Sequence, residues 1–216
     1  MPLEVVPLAE TDAQAWAELY YPAFRSSTVG CLWHREPSPE STRKLGESLK
    51  ASLRKPEVHA FKCIDTDLGN KLIAVAKWSV FDRPRSMEDV EKTFTLREMF
   101  EEENVEARKE FMEGIWKSRR EVMGGQPHVM LDSLICDPDH HRRGAGRMLV
   151  QWGIEKSVEM GIPAYLEGSS AGKRLYLSVG YQPVREIVFD GTKYGATEKD
   201  VHTAMLRPPQ KAAIMN

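Results

Sequence analysis

A glycine-containing basic loop between a strand pattern and a helix pattern is the feature that most constrains how this chain folds. Residues 129–136 form a short apolar run, typical of a buried strand, and the turn residues Asp137 and Pro138 follow it. The sequence HRRGAG at 141–146 comes next, and apolar residues then recur at helical spacing: Ala145, Met148, Leu149 and Trp152. Gly161 is a natural helix stop, so the sequence predicts a strand, a loop and a helix in series.

The rest of the chain predicts a mixed arrangement of strands and helices around this unit. Strand patterns cover 3–7, 59–65, 71–80, 164–167, 182–189 and 201–206. Helix patterns cover 13–24, 39–53 and 171–179, and a charge-dense stretch at 83–125 predicts one or two more helices. The 216 residues therefore predict one α/β domain, with 83–125 as a helical insert and 208–216 as a tail. The helix that joins 129–136 to 164–167 implies that these two strands run parallel.

Composition and charge argue against several classes of protein. Lysine and arginine total 30 against 32 aspartates and glutamates, whereas dedicated nucleic-acid and membrane-surface binders are usually strongly basic. No window approaches the roughly 18 consecutive apolar residues of a membrane span. The three cysteines, Cys31, Cys63 and Cys136, lie far apart, which favours reduced thiols inside the cell. We therefore expect a soluble cytoplasmic protein with neither a nucleic-acid nor a membrane partner.

The loop at 141–146 has the chemistry of an anion site. Free N–H groups at a helix N-terminus bind anions, glycines permit close approach to the backbone, and Arg142, Arg143 and Arg147 can add positive charge. The sequence contains neither a complete Gly-x-x-x-x-Gly-Lys-Ser/Thr pattern nor a complete Gly-x-Gly-x-x-Gly pattern. A metal site is not expected, because the candidate ligands are crowded into one turn with poor geometry: Asp137, Asp139, His140 and His141.

Two motifs in the segment 131–183 resemble the core of the GNAT acyltransferase superfamily. The family pattern Gln/Arg-x-x-Gly-x-Gly/Ala follows a proline by three residues, and here Pro138 is followed by HRRGAG, with His141 in place of Gln or Arg. The sequence YLSVGY at 176–181 similarly resembles the later Tyr-x-x-x-Gly-Phe pattern, with Tyr181 in place of Phe. The two motifs together make the resemblance specific.

This resemblance implies a mixed α/β sheet whose central parallel strands, 129–136 and 164–167, splay apart. Acetyl-coenzyme A would be the co-substrate, with its pantetheine arm in the gap and its pyrophosphate on the N–H groups of 142–147. The cofactor contacts implied are Leu134, Ile135, Cys136, His141, Arg142, Arg143, Gly144, Ala145, Gly146, Arg147 and Tyr176.

The resemblance also suggests catalytic residues. Tyr176 occupies the position that protonates the departing thiolate in many relatives, although it could instead only pack on the cofactor. Asp132 is the first candidate for the base that deprotonates the amine, and Glu167 is the second. Strand alternation predicts that Met130, Asp132 and Leu134 share one face, and Asp132 could also be a structural hydrogen-bond acceptor.

The expected function is acetyl-coenzyme A-dependent N-acetylation of a primary amine, on a small molecule, by direct attack in a ternary complex. A non-catalytic acyl-coenzyme A sensor on the same fold and a protein N-acetyltransferase are the alternatives. The expected assembly is a monomer or a homodimer. The sequence leaves open the identity of the acceptor and the role of the insert at 83–125.

Overall fold

The structure is a computed structural model that describes residues 2–209, so the predicted tail at 208–216 lies outside the described residues except for its first two positions. The strands are β1 (Leu3–Pro7), β2 (Val58–Asp65), β3 (Lys71–Phe81), β4 (His128–Cys136), β5 (Ala164–Gly168), β6 (Gln182–Phe189) and β7 (Asp200–Arg207). The helices are α1 (Ala13–Phe24), α2 (Pro39–Ser52), α3 (Met87–Glu91), α4 (Val105–Val122), α5 (Ala145–Met160) and α6 (Ser170–Ser178). None of the helices in this part of the chain is long and apolar enough to cross a bilayer.

Side-chain caps explain where several helices begin. The Ser38 hydroxyl accepts a hydrogen bond from the N–H of Ser41 at the start of α2, and Asn104 and Ser169 cap α4 and α6 in the same way. Gly161 ends α5 with a left-handed φ of +64°, a conformation that favours glycine. These local signals are readable in the sequence, so the predicted helix boundaries agree with the structure.

The seven strands form one sheet in the order β1-β2-β3-β4-β5-β7-β6. Within residues 2–209, β4 and β5 are the one parallel pair, as the sequence predicts for strands joined by a helix, and the other neighbouring pairs are antiparallel. β4 and β5 pair from Val129 opposite Ala164 to Leu131 opposite Leu166. β4 then continues to Cys136 without a partner on its β5 side. The predicted splay between the two central strands is therefore present.

Helices α5 and α6 cover one face of the sheet, which we call the first face. Its core contains Leu149 of α5 and Tyr176 of α6, packed with strand residues such as Trp78 and Leu166. Helix α5 lies very close to the sheet at Gly153, where a Cβ atom would stand 2.2 Å from the Trp78 ring. A glycine at this position is required by the close approach of helix and sheet.

Helices α1, α2 and α4 cover the opposite face, which we call the second face. Trp16 of α1 packs with Ile135 of β4, and Ile115 of α4 packs with Tyr165 of β5. The predicted helical character of the insert at 83–125 is confirmed, since the insert contains α3 and α4. The insert is thus part of the packed domain, and α4 docks over the half of the sheet that carries β6.

A β-bulge in β4 changes which residues share a face. Leu131 pairs with Trp78, but Ser133 pairs with Lys77, so Asp132 is an extra residue in the ladder. Leu131 packs on the first face before the bulge, and Leu134 packs on that same face after it. The expectation that Asp132 and Leu134 share a face is therefore wrong, because the bulge shifts the alternation by one residue.

Candidate active site

A cleft of about 870 Å³ opens where β4 and β5 separate, and we call it the split cleft. The end of β4, the loop before α5, the start of α6, the end of α1 and the start of β7 surround it. All of the predicted cofactor contacts line it: Leu134, Ile135, Cys136, His141, Arg142, Arg143, Gly144, Ala145, Gly146, Arg147 and Tyr176. The structure thus brings two separate sequence motifs together around one opening.

The loop before α5 presents free donors to this cleft. Gly144 is the N-cap of α5 and has a left-handed φ of +96°, and Arg142 has a φ of +61°. Among the described residues, the backbone N–H groups of residues 142–147 donate no hydrogen bond. A Cβ atom built on Gly144 would meet no atom within 4 Å, so the space beside these donors is open. Free N–H groups beside an open space at a helix N-terminus fit a phosphate group.

The second glycine of the loop, Gly146, packs closely against its neighbours. A Cβ atom on Gly146 would lie 3.3 Å from Leu175 of α6 and 3.6 Å from Leu134 of β4. The 3.3 Å contact with Leu175 would be tighter than ordinary van der Waals packing, whereas the 3.6 Å contact with Leu134 would be normal. The side of Gly146 where a Cβ would project therefore faces packed side chains, so this glycine serves the fit of α5 against its neighbours.

The three arginines of the loop differ in how free their charges are. Arg143 forms an ion pair of 2.6 Å with the buried Asp65, and Arg147 donates a 2.7 Å hydrogen bond to Ser178. Arg142 is exposed and has no ion-pair partner within residues 2–209. A serine hydroxyl does not neutralise Arg147, so Arg142 and Arg147 both offer a free charge to an anion, whereas Arg143 is paired with Asp65.

Tyr176 forms one wall of the split cleft and is held tightly from two sides. A Cβ atom on Gly168 would lie 2.8 Å from its ring, and one on Gly172 would lie 2.9 Å from it. Burial, with a smaller contribution from nearby Cys136, holds the pKa of the Tyr176 hydroxyl well above its usual range. The phenol therefore keeps its proton throughout the physiological pH range.

Cys136 lies in the same cleft but is a poor nucleophile. Burial, helped by the neighbouring Cys63, raises the pKa of the Cys136 thiol to about 11. A thiol with this pKa is almost entirely protonated at neutral pH, and the thiolate is the reactive form.

Asp132 lines a second cavity, of about 560 Å³, on the second face of the sheet. We call it the insert cavity, because α3, α4 and the segment between them form much of its wall. The Ser79 hydroxyl donates a 2.6 Å hydrogen bond to the Asp132 carboxylate. Asp132 thus lines the insert cavity on the second face, whereas Leu134, two residues further along β4, lines the split cleft.

Glu167, the other candidate base, is bound on both carboxylate oxygens. Arg119 of α4 donates to them at 2.8 and 3.0 Å, and the Glu167 side chain is 5% exposed. Burial alone would lower the pKa of Arg119, but the Glu167 carboxylate more than compensates and raises it. Glu167 lines neither cavity, and its carboxylate is engaged in holding the insert to β5.

The split cleft also contains a histidine that the sequence analysis missed. Nδ1 of His202 contacts the carboxylate of Asp200, and the Thr28 hydroxyl donates to the same carboxylate. His202 and Asp200 line the cleft opposite the α5 loop, and the His202 ring packs against Phe111 of the insert. The available signal was the Asp-x-His spacing, which places both side chains on one face of a strand.

The residues described here contain no group of three or more side chains with the potential to hold a metal ion. The turn after β4 is instead tied by charge pairs. Lys71 lies 3.0 Å from Asp137, and His140 is hydrogen-bonded to Arg143.

Comparison with known proteins gives consistent relatives. The family model described as Acetyltransferase (GNAT) family matches residues 14–181. A 45-residue segment is 31% identical to the Ajellomyces capsulatus protein named "Probable acyltransferase SID5", covering 21% of this chain and 33% of that relative's length.

Two solved structures share the fold over almost their whole length. A mosquito arylalkylamine N-acetyltransferase like 5b superposes with a TM-score of 0.64 at 12% identity, covering 95% of this chain and 99% of its own. The Salmonella typhimurium protein yncA, solved with its cofactor acetyl-CoA, superposes with a TM-score of 0.59 at 14% identity, covering 100% of this chain and 99% of its own. The fold agrees with these structures, and because the family model covers most of the sequence, the chain belongs to the GNAT family of acetyltransferases.

Proposed function

We propose that this chain is an acetyl-coenzyme A-dependent N-acetyltransferase that acetylates the primary amine of a small molecule by direct attack in a ternary complex. The observation that carries this proposal is the split between β4 and β5, which opens onto Tyr176 and onto the free donors of the α5 loop in one cleft. The cofactor found with the Salmonella structure supports the same ligand here.

The residues of the split cleft suit an extended cofactor that ends in phosphates. Beyond Leu131, β4 has lost its neighbour on the β5 side, so main-chain groups of Leu134, Ile135 and Cys136 would bond the pantetheine arm. The N–H groups of residues 142–147, including that of Gly144, would hold the pyrophosphate, and Arg142 would add its free charge.

Acetyl-coenzyme A supplies an acetyl group activated as a thioester. In direct attack, the amine nitrogen bonds to the carbonyl carbon while the carbon–sulfur bond breaks, and the sulfur takes the electron pair. Tyr176 is protonated at neutral pH and would donate its hydroxyl proton to that sulfur as the bond breaks, and the tyrosinate left behind would regain a proton from solvent. The protonated Cys136 thiol supports direct attack over transfer through an acyl-enzyme.

Asp132 is the better of the two candidate bases. It would accept the proton that the ammonium group of the acceptor must lose before it attacks. Its carboxylate accepts one hydrogen bond from Ser79 and lines the insert cavity, whereas both oxygens of Glu167 are bound to Arg119. We therefore assign the base to Asp132 and a structural role to Glu167.

The direct test measures coenzyme A release with a thiol reagent while amines are supplied in turn, with mass spectrometry of the acetylated product. We expect release that depends on a small primary amine. Tight binding of acetyl-coenzyme A without turnover of any amine would favour the sensor. Acetylation confined to protein or peptide acceptors would favour the protein N-acetyltransferase.

A further inference from the structure

The side chains that line the insert cavity carry more positive charge than negative charge. Six cationic side chains line it against two carboxylates, Glu57 and Asp132. His128 also lines it, but burial lowers the pKa of His128 to about 4, so that this ring is neutral at pH 7.

Three of the six cations already have carboxylate partners. Lys92 pairs with Glu88 and Asp89. Arg97 pairs with Glu103, and Arg119 pairs with Glu167. The remaining three, Lys55, Lys77 and Arg85, form no ion pair within residues 2–209. Lys55 is exposed, whereas Lys77 and Arg85 are partly buried, where an unpaired charge is more costly.

Arg85 is the least satisfied of these groups. Its Nε and Nη1 atoms are buried and donate no hydrogen bond among the described residues. Its guanidinium lies 3.4 Å from the centre of the Phe81 ring, so one face is fixed on an aromatic surface. Its backbone N–H donates a 2.8 Å hydrogen bond to Gly125, where a Cβ atom would clash with the Arg85 carbonyl. Burial lowers the pKa of Arg85 although Glu57 and Asp89 act in the opposite direction, so a directly bonded anion would stabilise this guanidinium.

The candidate base lies one step away from this arginine. Lys77, Ser79 and Phe81 alternate along β3 and line the same cavity, and side chains two residues apart on a strand are separated by about 7 Å. Ser79 binds Asp132, and Phe81 carries Arg85, so the carboxylate and the unpaired guanidinium are held by strand residues one such step apart. A ligand with opposite charges at the two ends of a short carbon chain suits this arrangement.

Part of the wall of this cavity is apolar and aromatic. Phe94 and Trp116 of the insert stack with their ring centres 5.8 Å apart and an angle of 16° between planes, and both line the cavity. Met112 also lines it. Such a surface packs against the methylene groups of a carbon chain.

We propose that the insert cavity binds an acceptor with an amine at one end and a carboxylate at the other, the carboxylate being held by Arg85 while the amine faces Asp132. This deepens the proposed acetyl transfer and rests on it for the fate of the amine. The class of acceptor is an ω-amino acid, and simple diamines are disfavoured because they would bring a second positive charge to the unpaired Arg85.

Matched acceptors test this proposal. Coenzyme A release is measured with 4-aminobutanoate and 6-aminohexanoate, with the corresponding neutral amides, and with 1,4-diaminobutane. We expect kcat/KM to favour at least one acid over its amide by about tenfold or more, which corresponds to about 1.4 kcal/mol. Arg85→Gln should reduce this preference to a factor of about three, mainly by raising KM. Arg83→Gln removes the same charge from an exposed position two residues away and should leave the preference intact.

A binding measurement tests the anion pocket at Arg85 independently of the proposed acetyl transfer. The shift in Tm caused by each acid and its amide is recorded with and without coenzyme A. An Arg85-dependent shift with an acid, without turnover of any amine, would support the anion pocket and remove the proposed transferase function. Equal turnover of acids and amides would overturn the pocket and leave the transferase in place. Neither binding nor turnover of the acids would overturn the pocket, and turnover of the amides or of 1,4-diaminobutane in the same assay would leave the transferase in place.

Discussion

Tyr176 lies in the split cleft where its ring is fixed by two glycines and only its hydroxyl is available for chemistry. Tyr176→Phe keeps the ring packing and removes the proton donor. We expect turnover to fall by about 10²-fold, with a drop of only tenfold if water substitutes, and acetyl-coenzyme A affinity to change little. Rates and calorimetric binding of the two proteins measure this. Normal turnover in the variant would reduce Tyr176 to a packing residue.

The pH profile adds a second criterion at the same residue. Because burial raises the pKa of Tyr176, its ionisation should not limit the rate of the unmodified protein below about pH 10, the usual phenol value. A fall in kcat well below that pH that disappears in Tyr176→Phe would contradict the buried environment described here.

Asp132 and Glu167 give opposite predictions although both are acidic residues on neighbouring strands. Asp132→Asn should lower kcat by about 10²-fold at pH 7 and by less near pH 10, where the amine loses its proton to water unaided. Stability should change little, because the partner left behind is the Ser79 hydroxyl.

Glu167→Gln leaves the partly buried Arg119 without its counter-ion. Breaking a buried pair from one side typically costs about 3 kcal/mol, so we expect a clear drop in the free energy of unfolding. Chemical denaturation and steady-state rates of Asp132→Asn and Glu167→Gln distinguish the catalytic base from the structural ion-pair partner. Loss of catalysis in Glu167→Gln at unchanged stability would reverse the assignment.

Helix α5 has a left-handed glycine at each end, and only the one at its start faces the split cleft. Gly144→Val introduces strain at a φ of +96° and fills the open space beside the free N–H groups. We expect acetyl-coenzyme A affinity to fall about tenfold or more by calorimetry. Gly161→Val imposes similar strain at a φ of +64°, also in open space, and should lower stability without lowering affinity. An equal loss of acetyl-coenzyme A affinity in both variants would contradict the proposal that the loop before α5 binds the pyrophosphate.

The packing of α5 on the sheet makes a separate prediction at Gly153. A Cβ atom there would stand 2.2 Å from the Trp78 ring, so Gly153→Ala should cost about 1–3 kcal/mol in the free energy of unfolding. Gly114→Ala in α4 places its methyl group 3.3 Å from Ile187 and gains helix propensity, so it should be close to neutral. Urea denaturation of the two variants compares them directly.

The helices and strands were predictable from the sequence because the residues that mark them are close together in the chain. Ser38 and Gly161 mark helix ends, and the apolar runs of β4 and β5 mark buried strands. The bulge at Asp132 was not predictable, because one extra residue in a ladder leaves the apolar pattern almost unchanged. The pairing of Asp200 with Thr28 was hidden for another reason: it joins residues that are distant in the chain.

The whole domain is tied together by an acidic residue that links the insert to α2. Glu102 is 1% exposed, and it accepts hydrogen bonds of 2.9 Å from the Ser38 N–H and 2.8 Å from the Ser41 hydroxyl. Burial alone would raise the pKa of Glu102, but these hydrogen bonds lower it to about 2. A lowered folded-state pKa stabilises the fold above about pH 4.5, and the contribution is lost as pH falls toward 2.

Acid should therefore loosen the insert from α2. We expect Tm to fall between pH 4.5 and pH 2, and Glu102→Gln to show a weaker dependence in that range together with a lower Tm at pH 7. Glu101→Gln, at the adjacent exposed position, should behave like the unmodified protein. An identical acid dependence in all three proteins would place the acid-sensitive group elsewhere.

β4 is paired with β5 only from Val129 to Leu131, and this difference should be visible in the rates at which the backbone amides of β4 exchange hydrogen for deuterium. From Val129 to Leu131 this strand has neighbours on both sides, whereas beyond Leu131 the amides that point away from β3 have no strand to protect them. Backbone protection reports local opening and solvent contact, so alternate amides near Cys136 should take up deuterium quickly in the free protein. A molecule that fills the gap would act as a missing strand and slow their uptake, which would allow occupancy of the split cleft to be followed without any turnover.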